Sequence, residues 1–235
     1  MSHTSDSMEL YGEFYQDILA KMSNIIKTQH VENIEDGING FLFHGEPGIG
    51  KTTTARRIVK DLNAHLSFQD CADLAMARYG DTETKIREVF DEENISRGAG
   101  KRDLTIYVFD DAEGLFISRD LPNIEAWYIG HINVLFHEMD QLDTSRQIVI
   151  MTTNRKDLLD KALIDRLYPI EFETPADDVL IEAAHKKAQN FQIFSESDID
   201  HLEARIREDA SVETFRDVER IVTEEFVELA AGGSI

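Results

Sequence analysis

Cysteine is nearly missing from this chain of 235 residues: Cys71 stands alone. A single thiol excludes a disulfide framework within the chain and fits a reducing compartment. As a small apolar side chain, Cys71 is expected in the core. Positive charge is also short, with 24 Lys and Arg against 46 Asp and Glu and a formal net charge of -22. Such a field repels the phosphates of a nucleic acid, so non-specific binding to DNA or RNA is disfavoured. A local basic patch around Arg97, Lys101 and Arg102 is the one feature that runs against it. The acidity suits a basic partner or a high-salt interior. No apolar run approaches the roughly 18 residues of a membrane helix, and MSHTSDSMEL has neither the positive start nor the apolar stretch of a targeting segment. The expectation is a cytoplasmic protein with no membrane partner.

What the chain does have is GFLFHGEPGIGKTTT, from Gly40 to Thr54. A short apolar run, Phe41 to Phe43, leads into the loop Gly45, Glu46, Pro47, Gly48, Ile49, Gly50, then Lys51, Thr52 and Thr53, which open a segment of helical spacing. Strand, glycine-rich loop and helix in that order define a phosphate-binding loop. Glycines let backbone N–H groups approach a triphosphate at positive φ, and the helix start points a positive dipole at it. Lys51 is the expected ligand of the β and γ oxygens, and the Thr52 hydroxyl of Mg²⁺. ATP and Mg are therefore the expected cofactors. The alternative is a glycine turn with no ligand.

A second apolar run, Leu104 to Phe109, ends on two carboxylates. Parallel sheets bind ligands at the carboxyl ends of their strands, so Asp110 is the expected Mg²⁺ partner through water, and Asp111 the acid that polarises the attacking water. Other segments fill in an α/β pattern. Phe14, Ile18, Met22, Ile25 and Ile26 repeat at helical spacing from Glu13 to Lys27. AHLSFQ and QIVIMTT read as strands, as does PIEFETP, and the run from Asn123 to Leu142 reads as a helix. His131 and His137 on that helix lack metal-spaced partners and are expected to pack or face solvent. Arg78-Tyr79-Gly80 falls in a loop, either as an exposed aromatic grip or as a turn folded onto its own domain. After Pro175, Ser195-x-x-Asp198 and Thr214-x-x-Asp217 have capping-box spacing and start the last helices.

Taken together these motifs resemble AAA (AAA+) ATPases over roughly residues 30 to 230. Gly45 to Thr52 matches Walker A and TIYVFDD matches Walker B. INVLFHEMDQL with IVIMTTNRKDLLDKAL is similar to their second region of homology. The resemblance implies a five-stranded, mostly parallel sheet flanked by helices, with a small helical lid. It divides the chain into an N-terminal tail and helix (1–30), a nucleotide-binding subdomain (31–175) and a lid (176–235). By the same resemblance, Asn154 is sensor 1, Arg166 an arginine finger reaching a neighbouring subunit, and Tyr11 with Gly12 lie where relatives touch adenine, a core tyrosine being the alternative. Arg216 matches a sensor 2 arginine or, alternatively, a solvent-facing arginine paired with acids. Arg78, Tyr79 and Gly80 align with the first pore loop of hexameric unfoldases.

Three departures stand out. Asp111 replaces the usual Glu, setting the carboxylate back by about 1 Å, a misplacement that lowers rates by up to about 10²-fold; Glu113 is the nearby acid that could compensate. Arg78 stands where translocating relatives place their leading aromatic. Arg166 is alone where many members have two arginines. The implied function is ATP hydrolysis by a homo-oligomeric ring, a hexamer by resemblance, that remodels a protein client. The alternatives are a slow nucleotide switch or scaffold and, less favoured by charge, a DNA-directed clamp loader or initiator.

Overall fold

The computed structural model describes residues 10–75, 81–91, 103–122 and 126–232. Arg78, Tyr79 and Gly80 lie outside the described residues, as do Arg97, Lys101 and Arg102. Five strands form one sheet in the order β2-β3-β4-β1-β5: β1 (Gly40–His44), β2 (His65–Asp70), β3 (Thr105–Asp110), β4 (Gln147–Thr153) and β5 (Tyr168–Glu171). Every pairing between them is parallel, so the sheet is wholly rather than mostly parallel. This follows from the sequence pattern: parallel strands buried on both faces read as continuous apolar runs, and β1, β3 and β4 each hold a run of fully buried residues.

Successive side chains of a strand point to opposite faces, and the two faces have different covers. Leu42, Tyr107, Phe109, Val149 and Met151 pack with α3 (Cys71–Ala75), α4 (Asp81–Phe90), α5 (Ala126–Met139) and α6 (Lys161–Arg166). Phe41, Phe43, Ile106, Val108, Ile148 and Ile150 pack with α1 (Glu13–Val31) and α2 (Lys51–Asp61). Cys71 is fully buried. A third cluster joins α7 (Asp177–Phe191), α8 (Glu196–Glu208) and α9 (Phe215–Gly232). Ser195 and Asp198 cap α8 reciprocally, and Thr214 and Asp217 exchange the same pair of bonds ahead of α9.

Two elements differ from their sequence reading. Helix α1 continues past Lys27 to Val31, and its buried face is Tyr15, Ile18, Met22 and Ile26, with Phe14 37% exposed. Tyr15 rather than Phe14 keeps the three- and four-residue spacing of one helix face. Strand β5 stops at Glu171, because it lies at the sheet edge and pairs only with the four residues Phe41 to His44 of β1.

Short helix α6 is fixed at its N-terminus by Asp160, which is 3% exposed. Its carboxylate accepts from the Ala162 backbone N–H at 3.0 Å and from Arg119 Nε and Nη2 at 2.7 and 3.1 Å. Burial alone would raise the Asp160 pKa, but the Arg119 guanidinium and the two backbone N–H donors more than offset it and hold it below the ordinary value. A carboxylate held low in the folded state adds stability that is complete above its unfolded pKa, about 4, and is lost as pH falls through the folded value. Asp160→Ala is therefore expected to destabilise the fold by about 1–3 kcal/mol at neutral pH. In thermal melts at stepped pH, the gap between wild type and variant should be widest above pH ~5 and close as the medium is made more acidic.

Candidate functional site

Strand register decides which residues meet. β4 lies between β1 and β3, with His44 opposite Thr153 and Phe109 opposite Met151. The loop after β1, the acids closing β3 and the residue after β4 thus emerge side by side at the carboxyl edge, where open parallel sheets bind ligands. Asn154, coming from the central strand, touches both neighbours. Its Oδ1 accepts from Lys51 Nζ at 2.7 Å, and its Nδ2 donates to Asp111 Oδ1 at 3.0 Å.

Lys51 is 6% exposed, and a buried ammonium requires acceptors for its N–H groups. All three are used: Nζ donates to the Gly45 and Glu46 carbonyls at 2.8 and 2.6 Å and to Asn154. Burial lowers its pKa, opposed by the charges of Asp111, Glu113, Asp110 and Glu46. The loop around it needs glycine. A Cβ on Gly45 would lie 2.4 Å from the Phe172 carbonyl oxygen, and Gly48 has φ of 82°, a region side chains rarely adopt. Gly50 caps α2, directing its N-terminus into the loop. Pro47, Thr52 and Thr53 line the cleft; Glu46 contributes its carbonyl, and Ile49 is fully buried.

Below the lysine, Asp110 Oδ1 accepts from the hydroxyls of Thr52 and Thr152, both at 2.6 Å. Thr152 in turn accepts from the Asp111 backbone N–H at 3.1 Å. Asp111 has φ 52° and ψ 55°, a left-handed conformation uncommon outside glycine. Its pKa is raised by burial and then by the neighbouring charges of Asp110 and Glu113. Glu113 Oε1 accepts from the Asn154 backbone N–H at 3.0 Å, so this acid braces the bridging asparagine. Thr52 and Asp110 supply two hard oxygens in contact, the donor set of a cation such as Mg²⁺, which takes one or two carboxylates and completes its shell with water and phosphate.

These groups open into a cleft of about 540 Å³ between the sheet edge and the C-terminal helices, lined by both acids, Lys51, Asn154, Tyr11 and Arg216. Its size and its few converging polar groups suit a nucleotide-sized ligand. Gly12 stands behind Tyr11 as the residue preceding α1, with φ of 80°. Arg166 is not part of this cleft. It sits at the end of α6, paired with Asp140 and stacked on Phe136.

Tyr15 carries no site motif in the sequence. Its hydroxyl donates to the Ile49 carbonyl at 2.8 Å, and its ring meets Phe215 edge-on with centroids 5.4 Å apart. Through it, α1, the phosphate loop and α9 share one aromatic contact. Leu10, Lys187, Asn190 and Glu219 also line the cleft without any local motif. For Tyr15 the helical spacing with Ile18 and Met22 was available as a signal of burial, though not of the bond to the loop.

Comparison with known proteins agrees with this arrangement. The family model "ATPase family associated with various cellular activities (AAA)" matches residues 41–174, more than half of the chain. The vesicular-fusion protein SEC18 of Candida albicans is 28% identical over 207 residues, covering 80% of this chain and 26% of its own length. SEC18 of Saccharomyces cerevisiae is 34% identical over 146 residues, 60% of this chain and 19% of its own. A 26S proteasome regulatory subunit homolog of Methanothermobacter marburgensis is 30% identical over 139 residues, 58% of this chain and 36% of its own. This chain thus spans between about a fifth and about a third of the length of these curated relatives. Among solved structures, a chain of the E. coli MS115-1 HORMA:CdnC:Trip13 complex has a TM-score of 0.69 at 20% identity, covering 94% of this chain and 83% of that one, a likeness of fold. With Walker-type loop, paired acids, bridging asparagine and parallel sheet in one site, the chain belongs to the AAA ATPase family.

Proposed function

We propose that this protein binds Mg-ATP in the cleft and hydrolyses it, and that it does so as a homo-oligomeric ring acting on a protein client. The observation that carries the reading is that Asn154 bridges Lys51 and Asp111 at the mouth of the phosphate loop. Lys51 and the loop N–H groups hold the β and γ phosphates. Thr52, and Asp110 through water, would hold Mg²⁺, which when bound would neutralise charge on the transferring phosphoryl group. Asn154 and Asp111 orient a water for in-line attack. The new bond forms between water oxygen and the γ phosphorus, the bond from that phosphorus to the bridging oxygen breaks, and the water proton passes by way of Asp111 to solvent. Positioning and electrostatics supply the catalysis.

Tyr11 and Arg216 contact the base and the phosphates from the cleft walls, and Arg166 completes the site of an adjoining subunit. Residues 31–175 form the nucleotide-binding subdomain and 176–235 the lid, with 1–30 preceding them. Arg78, Tyr79 and Gly80 grip the client. No helix among the described residues is long and apolar enough to cross a membrane, and we place the protein in the cytoplasm. A second reading, a slow nucleotide switch in which the ATP-bound ring is itself the signal, is favoured by Asp111, whose short side chain is tied to Asn154 and whose backbone is left-handed.

Lys51→Ala is expected to abolish ATP binding in a calorimetric titration, whereas unchanged affinity would refute the phosphate-loop assignment. Arg166→Ala should keep binding and lose turnover, with activity returning when it is mixed with Asp111→Asn subunits. The first measurement is Mg-ATP turnover per subunit against protein concentration. A steep rise to a plateau is expected if assembly completes the site; tight binding with turnover near zero at every concentration would put the switch reading first.

A further inference from the structure

Arg166 does not hang free. Its Nε and Nη2 donate to the two carboxylate oxygens of Asp140 at 3.1 and 3.3 Å, and Nη1 donates to the Ala162 carbonyl at 3.2 Å. Its guanidinium lies 4.2 Å from the centre of the Phe136 ring, which is nearly buried beneath it. The side chain nonetheless stays 32% exposed. The other end of α6 is held against the same helix α5: Asp160, its cap, binds Arg119, and the Arg119 guanidinium lies 5.9 Å from the same Phe136 ring. One phenylalanine is therefore flanked by two guanidiniums, one tied to each end of α6.

A guanidinium has five N–H donors in a fixed plane. Three are engaged here, one each on Nε, Nη1 and Nη2, which leaves one on each terminal nitrogen for an incoming oxyanion. An unrestrained arginine samples many rotamers, and fixing one lowers the entropy lost when a ligand arrives. A stacked ring and a bidentate carboxylate fix both the plane and the direction of the fork.

We propose that Asp140, with Phe136, is a positioning residue that preorganises Arg166 for the phosphate bound by an adjoining copy of this chain. The inference rests on the reading above that Arg166 acts between subunits. Asp140 touches no substrate and acts through the arginine alone. Its loss should reduce the rate of the chemical step and leave nucleotide binding as it was.

The test compares wild type, Asp140→Ala, Asp140→Glu and Arg166→Ala in single-turnover hydrolysis of Mg-ATP with protein in excess, so that slow chemistry is still read, alongside calorimetric ATP affinity. Asp140→Ala is expected to slow turnover by about tenfold, within the range that small misplacements cause, with affinity unchanged and part of the rate regained in Asp140→Glu. Mixing with Lys51→Ala subunits, whose own clefts are empty but whose Arg166 is intact, should restore turnover in the Asp140→Ala clefts. A wild-type or faster rate in Asp140→Ala, while Arg166→Ala is inactive, overturns the positioning role alone. Arg166→Ala turning over like wild type, or no hydrolysis in any of them, overturns the reading it rests on.

Discussion

Everything in the site depends on the place of β4 between β1 and β3. Parallel pairing in fixed register makes three loops, far apart in sequence, begin from one edge at one height. Asn154 then reaches the lysine on one side and the acid on the other. A one-residue slip would turn each side chain to the opposite face. The core prevents it, since alternate residues of all three strands are committed to two separate apolar layers.

The same layers explain why a buried lysine is tolerated. Lys51 sits at the start of a helix packed on the sheet, and its ammonium is taken up by two loop carbonyls and one side-chain amide. Hydrogen bonds to charged groups are worth about 1.5–3 kcal/mol each, which opposes the loss of water without cancelling it, so the lysine pKa stays below its ordinary value. Asp110 and Glu113 raise the proton affinity of Asp111, and all three acids favour the charged lysine. Positive and negative charge are thereby concentrated a few ångströms apart in a chain that is elsewhere overwhelmingly acidic.

Away from the cleft, α6 carries Arg166 on a helix of six residues fastened at both ends. Exposed ion pairs are individually weak, about 0–1 kcal/mol, so the Asp140 contact contributes direction more than stability. The Asp160 cap, nearly fully buried, is the firmer of the two.

Motifs whose chemistry is local are legible in neighbouring residues: the glycine loop with Lys51 and Thr52, the strand ending in Asp110 and Asp111, the capping boxes at Ser195 and Thr214, and the alternation of strand and helix that dictates a parallel sheet. Each is set by neighbours a few residues away, through backbone dihedrals, caps and side-chain period. Tertiary packing made Tyr15, whose inward face the helical spacing already marks, bond the phosphate loop. It also decided that Asn154 spans Lys51 and Asp111, that Glu113 braces Asn154, and that Arg166 is held by Asp140 outside the cleft. Those contacts join residues 26 to 103 positions apart. No local pattern encodes such distances; they arise from the order and register in which the strands are laid side by side.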